Sequence, residues 1–398
     1  MTRCNELDAV RGVLLLVMAA THLPTGLNPY ADQPFGYVSA AEGFVFLSSF
    51  LVGSIYSPLL LERGVQYVRE RLWQRARKLY GFHLALLVFA FTVVAAIAHL
   101  WHSQGLHNYL LFYFRAPAWA MVSAPLLLYQ PPLMDILPMY IVFLLLTPML
   151  LQLAARRGWW PLLTLSALLW GAAQLHASHL LYGALRLTGF PLPHDAWSAF
   201  DWLAWQLVWV AGLWLGSGQR RRQQLAAQAP RLGLRGYLRS TRPYVLLLTA
   251  MVAALFLCSR HHLGGPLAPI DINSPLVDKW KLGPLRIANF AAIGFIVSQL
   301  VLPALRWLRV AVLELLGRAS LQVFTAHIPV CILADGLLDS GIGFGSIAQQ
   351  ACMLALMLAV MLLVAWRTDA PRRTAALASA RRAAGPPRAA PVRVQNRD

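Results

Sequence analysis

Ten apolar runs divide this chain, at 7–24, 37–61, 79–101, 136–155, 159–181, 200–217, 243–259, 285–305, 320–338 and 346–366. Most approach the roughly 20 residues that a helix needs to cross a bilayer. Hydrocarbon offers no hydrogen-bond partner to a backbone, so runs of this length commit the chain to helices. Composition agrees: 58% of residues are hydrophobic and 13% charged, against about a quarter charged in an average soluble protein. The expected fold is an all-α polytopic membrane protein of about ten transmembrane helices. The first run ends at Pro24 without a small-residue cleavage pattern, so it reads as a retained helix and not a signal peptide.

The basic residues test that count through the positive-inside rule. Most of the 34 Lys and Arg fall in alternate connections. These are Arg3, the stretch from Arg63 to Lys78, Arg156 with Arg157, the stretch from Arg220 to Arg242, Arg306 with Arg309 and Arg318, and the tail from Arg367 to Arg397. Ten helices with both termini cytoplasmic satisfy the alternation. The net charge of +18 is then a matter of topology and anionic lipid, and no nucleic-acid partner is implied. The chain divides into one transmembrane domain, 1–366, and a basic Ala/Arg/Pro-rich tail, 367–398. That tail reads as disordered and close to lipid headgroups. Two long outer loops, 102–132 and 260–284, are candidates for function.

Cys4, Cys258, Cys331 and Cys352 show no close spacing and read as small buried thiols. No P-loop, GxGxxG, CxxC or HExxH is present. His99, His102 and His107 lack accompanying Cys or carboxylate ligands, so no metal site is expected. No internal repeat is visible, which gives an inverted-repeat transporter no support.

Ionisable groups at bilayer depth are costly and mark function. Arg11 and His22 both fall in the first run. On a helix they stand about 16 Å apart along the axis and within about 20° of one face. That arrangement suits a wall touched at a cytoplasmic entrance and again deeper in. Taken singly, Arg11 reads equally well as an arginine snorkelling to the interface, and His22 as a residue at the outer helix end. Asp8 is placed to pair with Arg11. Glu42, early in the second run, could charge-balance His22 as general base, or be an interface glutamate. Ser48 and Ser49 read as packing residues. The stretch from Arg69 to Lys78 reads first as topology; its guanidinium forks would also suit a phosphorylated donor. Tyr80 and His83 follow on the same helix. Asp135 reads as a helix cap on the outer side, where an acceptor could bind. His327 and Asp335 flank the ninth helix.

Several segments together resemble the OpgC family, within the broader acyltransferase-3-like membrane acyltransferases. They are Glu6-Leu7-Asp8-Ala9-Val10-Arg11-Gly12, the Arg11/His22 pair, Ala41-Glu42-Gly43-Phe44-Val45-Phe46-Leu47-Ser48, the stretch from Tyr129 to Tyr140, Asp278 to Arg286, and Leu316 to Phe324. The resemblance covers roughly residues 3–366. It implies a ten-helix bacterial inner-membrane enzyme that places acyl groups, typically succinyl, on hydroxyls of a periplasmic glucan or related envelope polysaccharide. The donor would be a cytoplasmic acyl-CoA, a co-substrate and not a tightly bound cofactor. By that resemblance His22 is the catalytic histidine, with Arg11 its companion; the reading of the residues themselves adds Glu42 as the acid that stabilises the imidazolium. Arg71, Arg75, Arg77 and Lys78 serve the donor side. Asp8, Tyr80 and His83 orient or support. Asp135, Tyr140, Lys279, Arg286 and His327 are acceptor-side candidates. One departure is Ser48-Ser49, where the broader superfamily usually reads Ser-Gly. Two other classes compete: a proton-coupled exporter of a sugar or acyl compound using Glu42 and His22 as a relay, and a membrane scaffold with basic docking loops. The residues leave open the acyl group, the acceptor glycan, direct transfer against an acyl-histidine, and the oligomeric state.

Overall fold

A computed structural model describes residues 5–187, 189, 199–218, 234–264, 269–308, 310–338 and 345–383. Cys4, most of the basic segment between Arg220 and Arg242, Arg309 and the tail beyond Ala383 lie outside the described residues. Among the described residues the secondary structure is all helical. Helix α1 spans Asn5–His22, and a single turn, α2, spans Asn28–Ala31. Helix α3 covers Ala40–Phe89 and continues through a π-helical segment, Ala90–Val94, into α4, Ala95–Leu100. Three short helices follow: α5 (Gln104–Tyr109), α6 (Leu111–Arg115) and α7 (Pro117–Ser123). Then come α8 (Ile136–Arg157), α9 (Trp160–Gln174), α10 (Ala177–Leu187), α11 (Trp202–Ser217) and α12 (Leu234–His261). Helix α13 (Pro284–Ile296) passes through π-helical Val297–Val301 into α14 (Leu302–Leu308). The last three are α15 (Ala311–Arg318), α16 (Ser320–Leu338) and α17 (Ile347–Ala383).

Every apolar run is largely helical, the run 159–181 being broken at Leu175 and His176 between α9 and α10. By length and composition, five described helical stretches can cross a membrane: Ala40–Leu100, Ile136–Arg157, Arg242–His261, Pro284–Leu305 and Ile347–Ala370. A sixth counts if α15 and α16, bent by 87° at their junction, form one span. Helices α9 and α11 have 15 and 16 residues, short of a full crossing. Helix α1 carries Glu6, Asp8 and Arg11. Helix α17 runs on to Ala383, into the segment for which composition alone suggests disorder. Its Ala, Leu and Arg residues are strong helix formers, and the apolar part of the same helix supplies the nucleus. The loop 102–132, expected on the outer side, is largely the three short helices α5 to α7. Of the described cysteines Cys331 is buried, Cys258 is half-buried, and Cys352 is exposed on the apolar flank of α17, contrary to the expected burial.

The basic stretch expected as a loop between two spans is instead helical, and the reversal is confined to Gly64. That residue has φ 79° and ψ 171°, the one non-helical conformation inside α3. Two bonds show the reversal. Tyr140 Oη donates to Phe44 O at 2.9 Å, and Trp73 Nε1 donates to Leu145 O at 3.3 Å. In an unbroken helix Phe44 and Trp73 would stand about 44 Å apart, whereas their partners on α8 stand about 7.5 Å apart. The two limbs of α3 therefore fold back beside α8. Glycine reaches positive φ without a Cβ penalty.

Glycines also set the closest helix contacts. A Cβ on Gly12 would strike the Leu313 carbonyl, and one on Gly317 would strike the Asp8 carbonyl, so α1 and α15 touch backbone to backbone. A Cβ on Gly212 would strike Ser49 Oγ, and one on Gly216 the Phe50 carbonyl, where α11 crosses α3. Small residues permit such approach in membranes, and buried Ser49 fills that role here.

Gly317→Val is expected to destabilise the protein by several kcal/mol, above the ~1–3 typical of overpacking, because backbone cannot yield as a side chain does. Gly81→Ala, which meets no neighbour within 4 Å, should be neutral or stabilising by up to about 1 kcal/mol. Thermal unfolding of the two detergent-solubilised variants would check both.

Candidate active site

A cavity of about 350 Å³ opens where the end of α1, the start of α3, helices α5 and α6, the segment before α8 and the 278–283 turn meet. His22, Ser39, Arg115, Asp135, Lys279 and Trp280 bring polar groups to its wall. Tyr109, Phe112, Tyr129 and Phe200 supply apolar faces. The turn that carries Lys279 and Trp280 is heavily tied. Asp278 Oδ1 accepts from the backbone N–H groups of Trp280 (2.6 Å) and Lys281 (3.0 Å). Trp205 Nε1 donates to Trp280 O at 3.0 Å, Gln174 Nε2 to Lys281 O at 2.6 Å and Trp170 Nε1 to Leu282 O at 2.9 Å. Helices α9 and α11 thus hold the turn in place. Leu127, Leu133 and Leu282 all adopt positive φ, at 64°, 67° and 52°. Non-glycine residues pay for that conformation, and here it occurs in the segments that build the cavity.

His22 ends α1 and lines the cavity. Its Nδ1 lies 3.2 Å from Nε2 of His327, which is fully buried on α16. The ring planes are 9° apart and the centroids 5.5 Å apart, so both nitrogens lie near the line joining the rings and the shared hydrogen lies near both ring planes. Nδ1 of His327 is 2.5 Å from the Phe324 carbonyl. His327 does not line the cavity. The structure places it behind His22 and outside the cavity wall, whereas the sequence reading offered it as an acceptor-side candidate.

Glu42 occupies a different position from the one expected. It forms a fully buried ion pair with Arg286 Nε and accepts from Ser39, at 3.1 Å from the backbone N–H and 2.5 Å from the hydroxyl. Its Oε1 faces Arg286 and its Oε2 faces Ser39; His22 is bonded to His327 instead. Arg286 likewise serves the start of α3 and not the cavity wall. Beside this pair, Asn289 Oδ1 accepts from Tyr37 N–H at 2.8 Å.

Arg11 donates to Ser320 Oγ, and its guanidinium lies over the Phe44 ring at 5.6 Å. Lys78 Nζ lies 3.0 Å from the Gln322 side-chain amide, oriented to accept from it. Arg11 and Lys78 therefore converge on the first turn of α16. Arg71 and Arg77 are exposed and Arg75 is half-buried on the same limb of α3; Arg71 lies over Tyr67 at 5.2 Å. Phe44 stacks against Phe324 at 6.0 Å, and Phe324 meets His327 edge-on at 5.0 Å. This aromatic pair stands between the basic end and the cavity. Asp8 is buried against α15. Tyr80 donates to Pro125 O at 3.1 Å and His83 Nε2 meets Ala124 O at 3.3 Å, so both brace the segment after α7. Tyr140 is buried, edge-on to Trp209 at 5.3 Å, and does not reach the cavity.

Asp135 and Lys279 do reach it. Asp135 sits at the N-cap position of α8 with helical backbone and no capping bond, so the expected cap is not formed. Enclosure in the cavity raises its carboxyl to about 6, opposed by neighbouring backbone amides at the start of α8 and by the charge of Lys279. Lys279 pairs with Asp32 at 2.9 Å. Nothing in the sequence pairs His22 with His327; they lie 305 residues apart.

The family model described as OpgC protein matches residues 3–373, nearly the whole chain. The chain belongs to the OpgC family. No curated protein and no solved structure matches it. OpgC membership makes this a membrane protein with transferase-type activity, and the family points to acyl transfer to glucans.

Breaking one side of a buried ion pair costs about 3–5 kcal/mol, because the other charge is left uncompensated. In this OpgC-family chain Glu42→Gln and Arg286→Met should each lose that much. The double substitution should lose clearly less than the sum, as measured by unfolding in detergent. Asp135 gives a pH signature. The folded carboxyl keeps its proton up to about 6, while an unfolded one releases it near 3.9. Between those values the folded state binds more protons, so wild-type stability falls as pH rises. Asp135→Asn escapes this. Its stability relative to wild type should climb from about pH 4 to about pH 6 and then level off.

Proposed function

We propose that the protein moves an acyl group, succinyl in the leading case, from a cytoplasmic acyl-CoA to hydroxyls of a periplasmic glucan or related envelope polysaccharide. It acts in the bacterial inner membrane, with ten spans and both termini cytoplasmic. The observation that carries the reading is His22 in the wall of a cavity, backed by a second histidine, in a chain of the OpgC family. The alternation of basic connections supports the topology. The convergence of Arg11 and Lys78 on α16 supports a donor entrance at the basic end. From there the acyl arm passes the Phe44–Phe324 pair towards His22.

In the direct route His22 Nε2 takes the proton of an acceptor hydroxyl as its oxygen attacks the thioester carbonyl. A carbon–oxygen bond forms, the carbon–sulfur bond breaks, and the thiolate leaves with the proton held by the imidazolium. In the covalent variant His22 itself is acylated first and the glucan hydroxyl displaces it. Glu42, committed to Arg286, takes no part in either route. Asp135, Lys279 and Trp280 offer the acceptor hydrogen bonds, a cation and a ring face.

The test compares envelope glycans from cells carrying wild-type or His22→Ala protein at matched membrane levels, by intact mass. The expected result is one or more acyl masses on the glycan that vanish in the variant; the mass identifies the acyl group. Glycans identical with and without the wild-type protein would overturn the assignment. A modification that survives His22→Ala would remove His22 from the mechanism.

A further inference from the structure

The hydrogen bonds behind His22 have a direction. The Phe324 carbonyl is only an acceptor, so His327 Nδ1, 2.5 Å away, carries the hydrogen. A neutral imidazole protonated on Nδ1 has its lone pair on Nε2. That lone pair lies 3.2 Å from His22 Nδ1, which must therefore be the donor. His22 then has its own lone pair on Nε2, and Nε2 has no protein partner among the described residues, while the ring lines the cavity. The assignment follows from the partners of each nitrogen, the standard route to a histidine tautomer.

We propose that His327 is a positioning residue that holds His22 in the Nδ1–H tautomer, leaving Nε2 as the base or nucleophile in the cavity. The carboxylate that commonly orients a catalytic histidine is replaced here by a neutral imidazole, itself fixed by a helix carbonyl one turn back on α16. The replacement has a physical reason. A carboxylate at this depth would carry a large desolvation cost, whereas an imidazole bonded to a backbone carbonyl adds no charge. Glu42, the acid expected to support His22, is consumed by Arg286. His327 touches neither donor nor acceptor, because it lies outside the cavity wall.

This inference rests on the acyl-transfer reading of the same cavity, and two readouts separate them. The first is kinetic, with the full chain in lipid nanodiscs, succinyl-CoA as donor and a β-glucan oligosaccharide as acceptor. His327→Leu removes the acceptor nitrogen at similar size. Its kcat should fall about 10–100-fold, part of the 10²–10⁴ that a positioned general base supplies, with KM for succinyl-CoA little changed. His327→Gln offers an amide oxygen near the position of Nε2 and should recover most of kcat. The second readout is the ¹⁵N spectrum of histidine-labelled protein, which needs no substrate. His22 should show a protonated Nδ1 and a bare Nε2 in wild type and in His327→Gln, and a mixture of tautomers in His327→Leu. Wild-type kcat in His327→Leu, or a wild-type His22 protonated on Nε2, would overturn the proposal. If His327→Leu fails to fold, the wild-type spectrum and the kcat of His327→Gln still decide. The expected tautomer in a protein that transfers no acyl group would support the geometry while removing the acyl-transfer reading.

Discussion

The buried Glu42–Arg286 pair organises the cavity end of this molecule. It joins the first turn of α3 to the first turn of α13 across 244 residues of chain. Two charges taken out of water must satisfy each other or cost several kcal/mol each. Where one of these helix starts goes, the other must follow. Ser39, bonded to the same carboxylate, and Ala40 and Ala41 beside it form part of the cavity wall. On the other side of the pair, the tied turn from Asp278 to Gly283 leads directly into α13 and delivers Lys279 and Trp280 to the same cavity. One ion pair thus sets the relative placement of two walls.

The wall that carries His22 depends on close helix packing. Helix α1 carries Arg11 near one end and His22 at the other, and Gly12 and Gly317 let it lie against α15 with no side chain between. That contact brings Arg11 to Ser320 at the α15–α16 junction, and one further stretch of α16 brings His327 to His22. Apolar burial is a weak guide to helix association in lipid, since the tails are as apolar as the core. Backbone proximity at glycine and the few polar contacts at depth carry the specificity instead.

Much of the secondary structure was legible in the sequence, because apolar run length is a local quantity. All ten runs are largely helical, one of them split into α9 and α10, and α8 and α17 start within a residue of the expected position. The stretch from Arg63 to Lys78 was read as a loop because it is charged. Its Arg, Gln, Glu, Leu and Lys residues are good helix formers, and one glycine was enough to turn the chain. Leu127, Leu133 and Leu282 gave no warning of positive φ, since leucine has no preference for it. For the site, the Arg11/His22 spacing and the Tyr129–Tyr140 and Asp278–Arg286 segments marked elements that the structure does bring to one region. Their partners were assigned less well. Glu42 and Arg286, read as serving His22 and the acceptor, serve each other. Asp135, read both as a cap and as an acceptor-side candidate, forms no capping bond and faces the cavity.

What the sequence alone determined is the class of molecule: a helical membrane chain of the OpgC family, with a histidine and an arginine on one face of its first helix. Those follow from hydrophobic length, charge order and helical pitch, all of which are properties of neighbours along the chain. The tertiary structure decided which buried polar group meets which. A hydrogen bond between residues hundreds of positions apart leaves no local trace, because each side chain alone is compatible with several partners. Only the packed helices, by excluding water from all but one arrangement, assign Arg286 to Glu42 and His327 to His22.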